Sequence, residues 1–131
     1  MRKIICIILF LCCVINSYAT EPIAIYRVKS VAYYYDNNWS GEGEYKGVIT
    51  LFKDKIVNKS ETGKAIFHIL GDIESKKNPF GNESLIFRCF NEKSKECTIE
   101  LTYIRDFGRR CIFLRFPTHD VRYIIKNDDE Y

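Results

Sequence analysis

The sequence predicts an all-β domain: a small antiparallel β-barrel, or a β-sandwich, of about eight strands. Three observations predict it. Short runs rich in Val, Ile, Tyr, Phe and Thr recur at close spacing along residues 20–131. Clusters of Asn, Asp, Gly, Pro, Ser and Lys separate those runs, as turns do. No stretch shows the i, i+3, i+4 apolar spacing of an amphipathic helix. Closure removes the open strand edges that a sandwich keeps, so the barrel is favoured and the sandwich stays close behind.

Residues 1–19 stand apart from this pattern. Arg2 and Lys3 precede an unbroken apolar run over 4–15, and Ser17-Tyr18-Ala19 supplies small residues suited to signal peptidase cleavage before Thr20. The run is shorter than the ~20 residues a membrane-spanning helix needs. A lipid anchor on Cys12 or Cys13 fits less well, because Leu11 and Cys12 occupy the places where a small residue is wanted. The expectation is an exported chain, secreted or periplasmic, with 1–19 as signal peptide and 20–131 as a single domain.

Removing that leader changes the chemistry. Arg2 and Lys3 carry most of the formal charge of +3, so the remainder is close to neutral. A near-neutral chain has no basic field to gather phosphates, which argues against nucleic acid as a partner. Of the six cysteines only Cys89, Cys97 and Cys111 remain.

The strands are then read in order. Residues 23–35 are β-branched and aromatic, and Asp36-Asn37-Asn38 ends them, with the loop continuing through Ser40-Gly41-Glu42-Gly43. Residues 45–52 and 55–58 flank Lys53-Asp54 as a short hairpin. Residues 65–73 follow a turn at Glu61-Thr62-Gly63. Residues 76–82, with Asn78-Pro79-Phe80-Gly81, are the strongest loop signal. Residues 84–90 and 97–104 flank a polar stretch at 91–96, and 111–116 and 121–125 flank Pro117-Thr118-His119-Asp120. The clearest alternation sets Cys97, Ile99, Leu101 and Tyr103 against Thr98, Glu100 and Thr102, the pattern of a sheet with one wet face.

Cys89 shares a face with Leu85 and Phe87, and Cys97 with Ile99 and Leu101. If their strands form a hairpin, both thiols lie on its apolar side within disulfide reach. Thiols of exported proteins are expected to pair, and closing so short a loop stabilises by roughly 2–3 kcal/mol. Cys111 is expected to be a buried thiol, with a bridge to Cys89 or Cys97 left open. Neither a C-x-x-C nor an H-x-x-x-H pair is present, so no metal site and no cofactor are expected.

Catalysis has little to build on. His119 sits between two strands beside Asp120, but adjacent strand residues point to opposite faces. His68 lies in an apolar strand and is expected to be partly buried. No G-x-S-x-G and no phosphate-cradling glycine loop occurs, and nothing pairs Asp106, Asp120 or the acidic tail 128–130 across a cleft. A non-enzyme is expected.

Tyr33-Tyr34-Tyr35 and Trp39 lie where a strand gives way to a loop. Tyr33, Tyr35 and Trp39 are candidate ligand contacts at a barrel mouth; the plainer expectation packs Tyr33 and Tyr35 inward with Tyr34 outside. Asn38, Asn58 and Asn82 begin N-x-S sequons in or beside predicted turns, and would matter as glycosylation acceptors in a eukaryotic host.

The leader, the hairpin over 47–57, Cys89 and Cys97 around a polar loop, and the closing strand 121–125 together resemble the small exported lipocalin-like β-proteins of bacteria. The resemblance implies a barrel with a ligand mouth. Lipocalins proper carry Gly-x-Trp near their first strand, whereas Trp39 here follows Asn37-Asn38. Two functions remain: a non-catalytic module binding another protein or surface component, and a carrier of a small apolar ligand.

Overall fold

The computed structural model describes residues 21–77, 82–104 and 108–127. The expected signal peptide at 1–19, Asn78–Gly81, Asp106 and the acidic tail 128–130 lie outside the described residues. The strands are β1 (Ala24–Tyr35), β2 (Asn38–Trp39), β3 (Gly43–Leu51), β4 (Lys55–Ser60), β5 (Gly63–Lys77), β6 (Glu83–Asn91), β7 (Glu96–Ile104), β8 (Arg109–Arg115) and β9 (Asp120–Ile125). Each pairs antiparallel with its neighbour in the order β2-β1-β3-β4-β5-β6-β7-β8-β9, and β1 also pairs β9. That last pairing makes a closed eight-stranded barrel with β2 as an addition, and decides between barrel and sandwich.

One strand closes the barrel by changing partners along its length. The first half of β1 faces β3, from Ala24↔Leu51 to Val31↔Gly43. Its second half faces β9, from Val28↔Ile125 to Tyr34↔Asp120. Both registers shift between Val28 and Ser30, so a bulge there bends β1 to serve both sides.

The inward-facing residues follow from register. Leu51 lies opposite Ile56, Ile56 opposite Phe67, Phe87 opposite Ile99, Ile99 opposite Leu114, and Ile112 opposite Tyr123. These side chains form one continuous core, with Phe87 only 1% exposed, and among the described residues no polar or charged one is fully buried with them. Eight strands enclose a space that side chains fill, and here Phe67, Phe87 and Tyr123 fill much of it.

Two boundaries differ most from the expected ones, each for a local reason. Asp36 and Asn37 both have positive φ, 52° and 64°, the backbone of a two-residue type I′ turn. The chain therefore folds back on itself at once, and Asn38 and Trp39 pair with Tyr35 and Tyr34 as a short strand instead of starting a loop. β5 runs on to Lys77, through residues expected to be loop, because Gly71 at φ 68° accommodates a bulge between Leu70 and Glu74 and pairing with β6 resumes beyond it.

Candidate functional site

The outer face of β1, β2, β8 and β9 carries a ladder of aromatic rings and guanidinium groups. The tight turn at Asp36-Asn37 brings Trp39 across from Tyr34, with ring centroids 5.1 Å apart. Trp39 then meets Phe113 of β8 edge-on at 6.2 Å. Arg122 lies 4.5 Å over the Trp39 ring and Arg115 lies 4.6 Å over Phe113. Register puts these side chains on one face, since Phe113 is opposite Arg122 and Arg122 is opposite Ala32. Ala32 beneath them is 1% exposed, although it faces away from the core.

Carboxylates hold the guanidinium groups in place. Arg115 donates from Nη1 to Asp120 Oδ2 at 2.9 Å and from Nη2 to Glu100 Oε2 at 3.2 Å. Arg122 donates from Nη2 to Glu42 Oε1 at 3.4 Å, while its buried Nε has no partner. The face thus carries charges of both signs. Partly exposed ion pairs contribute only ~0.2–1 kcal/mol each, so their main effect is to fix the planes of the guanidinium groups over the rings.

The three candidate aromatics do not converge. Trp39 belongs to this outer ladder and is 38% exposed. Tyr33 lies opposite Val121 on the inward phase, and it and Tyr35 are exposed at the open end of the barrel. The plain expectation of Tyr34 outside is met, whereas Tyr33 lies on the inward phase without being covered, and Tyr35, beyond the last pairing of β1 with β9, is exposed.

Below that end lies a polar chain that sequence reading missed. Tyr45 donates its hydroxyl to Asn58 Oδ1 at 2.8 Å, and Asn58 Nδ2 donates to the Tyr123 hydroxyl at 3.1 Å. The Tyr45 and Tyr123 rings meet edge to face at 5.4 Å. Burial, with Tyr45 and Tyr33 nearby, pushes the Tyr123 phenol above its ordinary range, and the Asn58 bond pulls the other way. A Cβ at position 47 would run into the Tyr45 ring and crowd the Lys59 carbonyl, so Gly47 is what lets the ring lie there. The signal was available: Asn58 shares the phase of Ile56 on its strand, so its amide is carried to the inward side.

Asn58 is thus not a turn residue, and its amide is engaged inside the barrel. Asn38 is exposed in β2, where its side chain donates to the Asp36 carbonyl at 3.4 Å, and Asn82 precedes β6.

Cys89 and Cys97 are direct register partners on β6 and β7, as the hairpin reading expects. Both are buried, at 1% and 6% exposure, and the thiols are free. Burial first, and then proximity to Cys97, pushes Cys89 up to about 12, and burial pushes Cys97 up to about 11. Cys111 is also buried, but it lies opposite Thr102 and Ile124, on the outward phase. Facing away from the inward pair, it is not placed to bridge with either.

The histidines are separate from each other and from the ladder. His68 is exposed, not partly buried, and stacks on Phe90 at 5.1 Å. His119 stacks on Phe116 at 4.9 Å, with Nδ1 2.9 Å from the Thr118 hydroxyl, while the neighbouring Asp120 is taken up by Arg115. Among the described residues no three His, Cys, Asp or Glu side chains cluster to hold a metal ion. An open, mainly apolar cleft of about 850 Å³ lies at the barrel end between Phe67, Asn91, Phe116, Pro117 and His119.

Comparison with models of protein families, with curated proteins and with solved structures found no match to this chain.

Proposed function

We propose that this chain is an exported, non-catalytic β-barrel that binds another protein or surface component through its outer aromatic face. Export rests on the leader read in residues 1–19; no helix among the described residues is long and apolar enough to cross a membrane. The observation that carries the binding reading is the contrast between inside and outside. The interior is occupied by the protein's own side chains, apolar but for the Tyr45–Asn58–Tyr123 chain, whereas Trp39, Arg122, Phe113 and Arg115 stand preorganised on the surface. Trp, Tyr and Arg held rigid in this way are the residue types that dominate binding energy at protein interfaces. Within the same reading, Cys89 and Cys97 form the one cross-strand disulfide of the exported protein.

The experiment is crosslinking capture of partners from the native source, repeated with Trp39→Ala and Arg122→Ala. A partner retained by the native chain and lost by both variants, with unfolding midpoints little changed, supports the reading. A partner bound equally by all three, or none above a barrel control of unrelated sequence, removes it.

The cleft beside Phe67 and Phe116 favours a second reading, a carrier of a small apolar ligand, with Tyr33 and Tyr35 near the same open end. A fluorescent long-chain acyl probe that binds saturably, and is excluded by Ala65→Trp, supports it. Absence of saturable uptake removes it.

A further inference from the structure

β5 outruns its neighbour on one side. β4 pairs with it only as far as Lys55↔His68, and the Ile69 amide then donates to the Asp54 carbonyl at 2.9 Å. Beyond that point β6 continues to pair, through Glu74↔Ile86, Ser75↔Leu85, Lys76↔Ser84 and Lys77↔Glu83. Residues 71–77 are all exposed, including Ile73 at 53%, and among the described residues no strand covers their other edge.

The Asn91 amide donates to the Lys95 carbonyl at 3.0 Å, which fixes the alternation along β6. Cys89, Phe87 and Leu85 turn their backbone groups to β7; Arg88, Ile86 and Ser84 turn theirs to β5. Their partners Glu74 and Lys76 therefore bond β6, and Ser75 and Lys77 present N–H and C=O groups to the open side. Such an edge is a template for another strand.

We propose that this edge pairs with itself, joining two copies of the chain in antiparallel register about Ser75. The charge order selects the partner. Acids come first, at Asp72 and Glu74, and bases last, at Lys76 and Lys77, so an antiparallel copy brings opposite signs together. With Ser75 opposite Ser75, the open backbone groups of Ser75 meet and those of Lys77 reach Ile73 of the second copy. Glu74 then faces Lys76 twice, at the closely spaced pairs where side chains approach best. Sliding the register by one residue sets the open backbone groups of one copy against groups that the other copy already bonds to β6. Sliding it by two restores the backbone match but puts Glu74 opposite Glu74 or Lys76 opposite Lys76, so of the registers that match the backbone the Ser75 one avoids these like-charge pairs. Among the described residues neither Glu74 nor Lys76 has an ion pair of its own, whereas Lys77 leans on Glu83 at 4.0 Å. The bulge between Leu70 and Glu74 keeps the straight edge short, so the dimer is weak and concentration-dependent. The surface lies across the barrel from the Trp39 ladder, and the inference does not depend on what that ladder binds.

Sedimentation velocity on the purified protein over a wide concentration range tests it. The native chain forms a dimer; Glu74→Lys or Lys76→Glu alone weakens it at least about tenfold, because both cross-strand pairs become like-charged. Mixing those two variants restores association as a heterodimer, and the double variant restores the homodimer. Ser75→Pro removes an edge N–H that β6 does not use and abolishes the dimer in a protein that still folds. A native chain that stays monomeric throughout, or a dimer indifferent to the charge reversals or not rescued by mixing, overturns the proposal.

Discussion

Asn58 and Tyr123 lie 65 positions apart in sequence and on strands that do not pair, yet Asn58 Nδ2 donates to the Tyr123 hydroxyl at 3.1 Å inside the barrel. The bond spans the interior from β4 to β9, and Tyr45 extends it with a second bond to the same amide. One side chain therefore satisfies two phenols.

Replacing that amide by a hydrocarbon of similar size tests its worth. Asn58→Leu leaves both hydroxyls without their protein partner, and partly buried polar groups left unpaired cost ~1–3 kcal/mol together with their lost bonds. Tyr123→Phe removes one bond and one of the polar groups at once, and is expected to cost less. Urea unfolding of the two variants gives the order, and a larger loss for Tyr123→Phe would refute it.

Gly47 is bound up with the same arrangement. Gly47→Ala places a methyl group against the Tyr45 ring, which must swing off Asn58 to make room. The expected loss is ~1–3 kcal/mol from overpacking and the broken bond. Combining Gly47→Ala with Tyr45→Ala should recover part of it, and a double-mutant cycle with no coupling between the two sites would rule out the contact as the cause.

The turn before β2 predicts a gain. Asn37 sits at φ 64° as the second central residue of a type I′ turn, a place where glycine carries no Cβ penalty. Asn37→Gly is expected to raise stability by a few tenths to ~1 kcal/mol and to keep Trp39 in the ladder. Thermal unfolding checks the first point, and Trp39 fluorescence the second.

These elements also mark what the sequence made legible. Alternating and apolar runs located the eight barrel strands, because each strand must bury a face. The Cys89–Cys97 register was legible too, since a short polar loop left the hairpin little freedom. β2 was hidden because positive φ at Asp36 and Asn37 turns a loop signal into a reversal. The ladder was hidden because it joins β1, β2, β8 and β9, and closure through β1–β9 is a long-range pairing that no local pattern announces. Asn58 read as a sequon because its partners, Tyr45 and Tyr123, come from other strands.

The reduced Cys89–Cys97 pair makes the folded barrel sensitive to alkali. Both thiols are raised above the ordinary value of 9.0, to about 12 and about 11, because burial disfavours the thiolate. The unfolded chain therefore loses its thiol protons at lower pH than the folded one. Stability contributed by the reduced pair is complete below about pH 9 and is lost as pH rises through the folded values. Oxidation by a small-molecule disulfide removes the effect: the protein dithiol gives up two electrons and two protons, one S–S bond forms in the protein, and the reagent leaves as two thiols. Such a bond adds roughly 2–3 kcal/mol near neutral pH in the chain-entropy model. Since buried thiols react slowly as thiolates, oxidation is expected to be fast during refolding and slow in the folded barrel. Unfolding curves from pH 7 to 12 should thus diverge, with the reduced protein losing stability more steeply than the oxidised one. All other groups are common to the two forms, so the comparison isolates the Cys89–Cys97 pair. Parallel curves would show that the pair is not where the alkaline loss arises, and a protein that cannot be oxidised during refolding would exclude the bond.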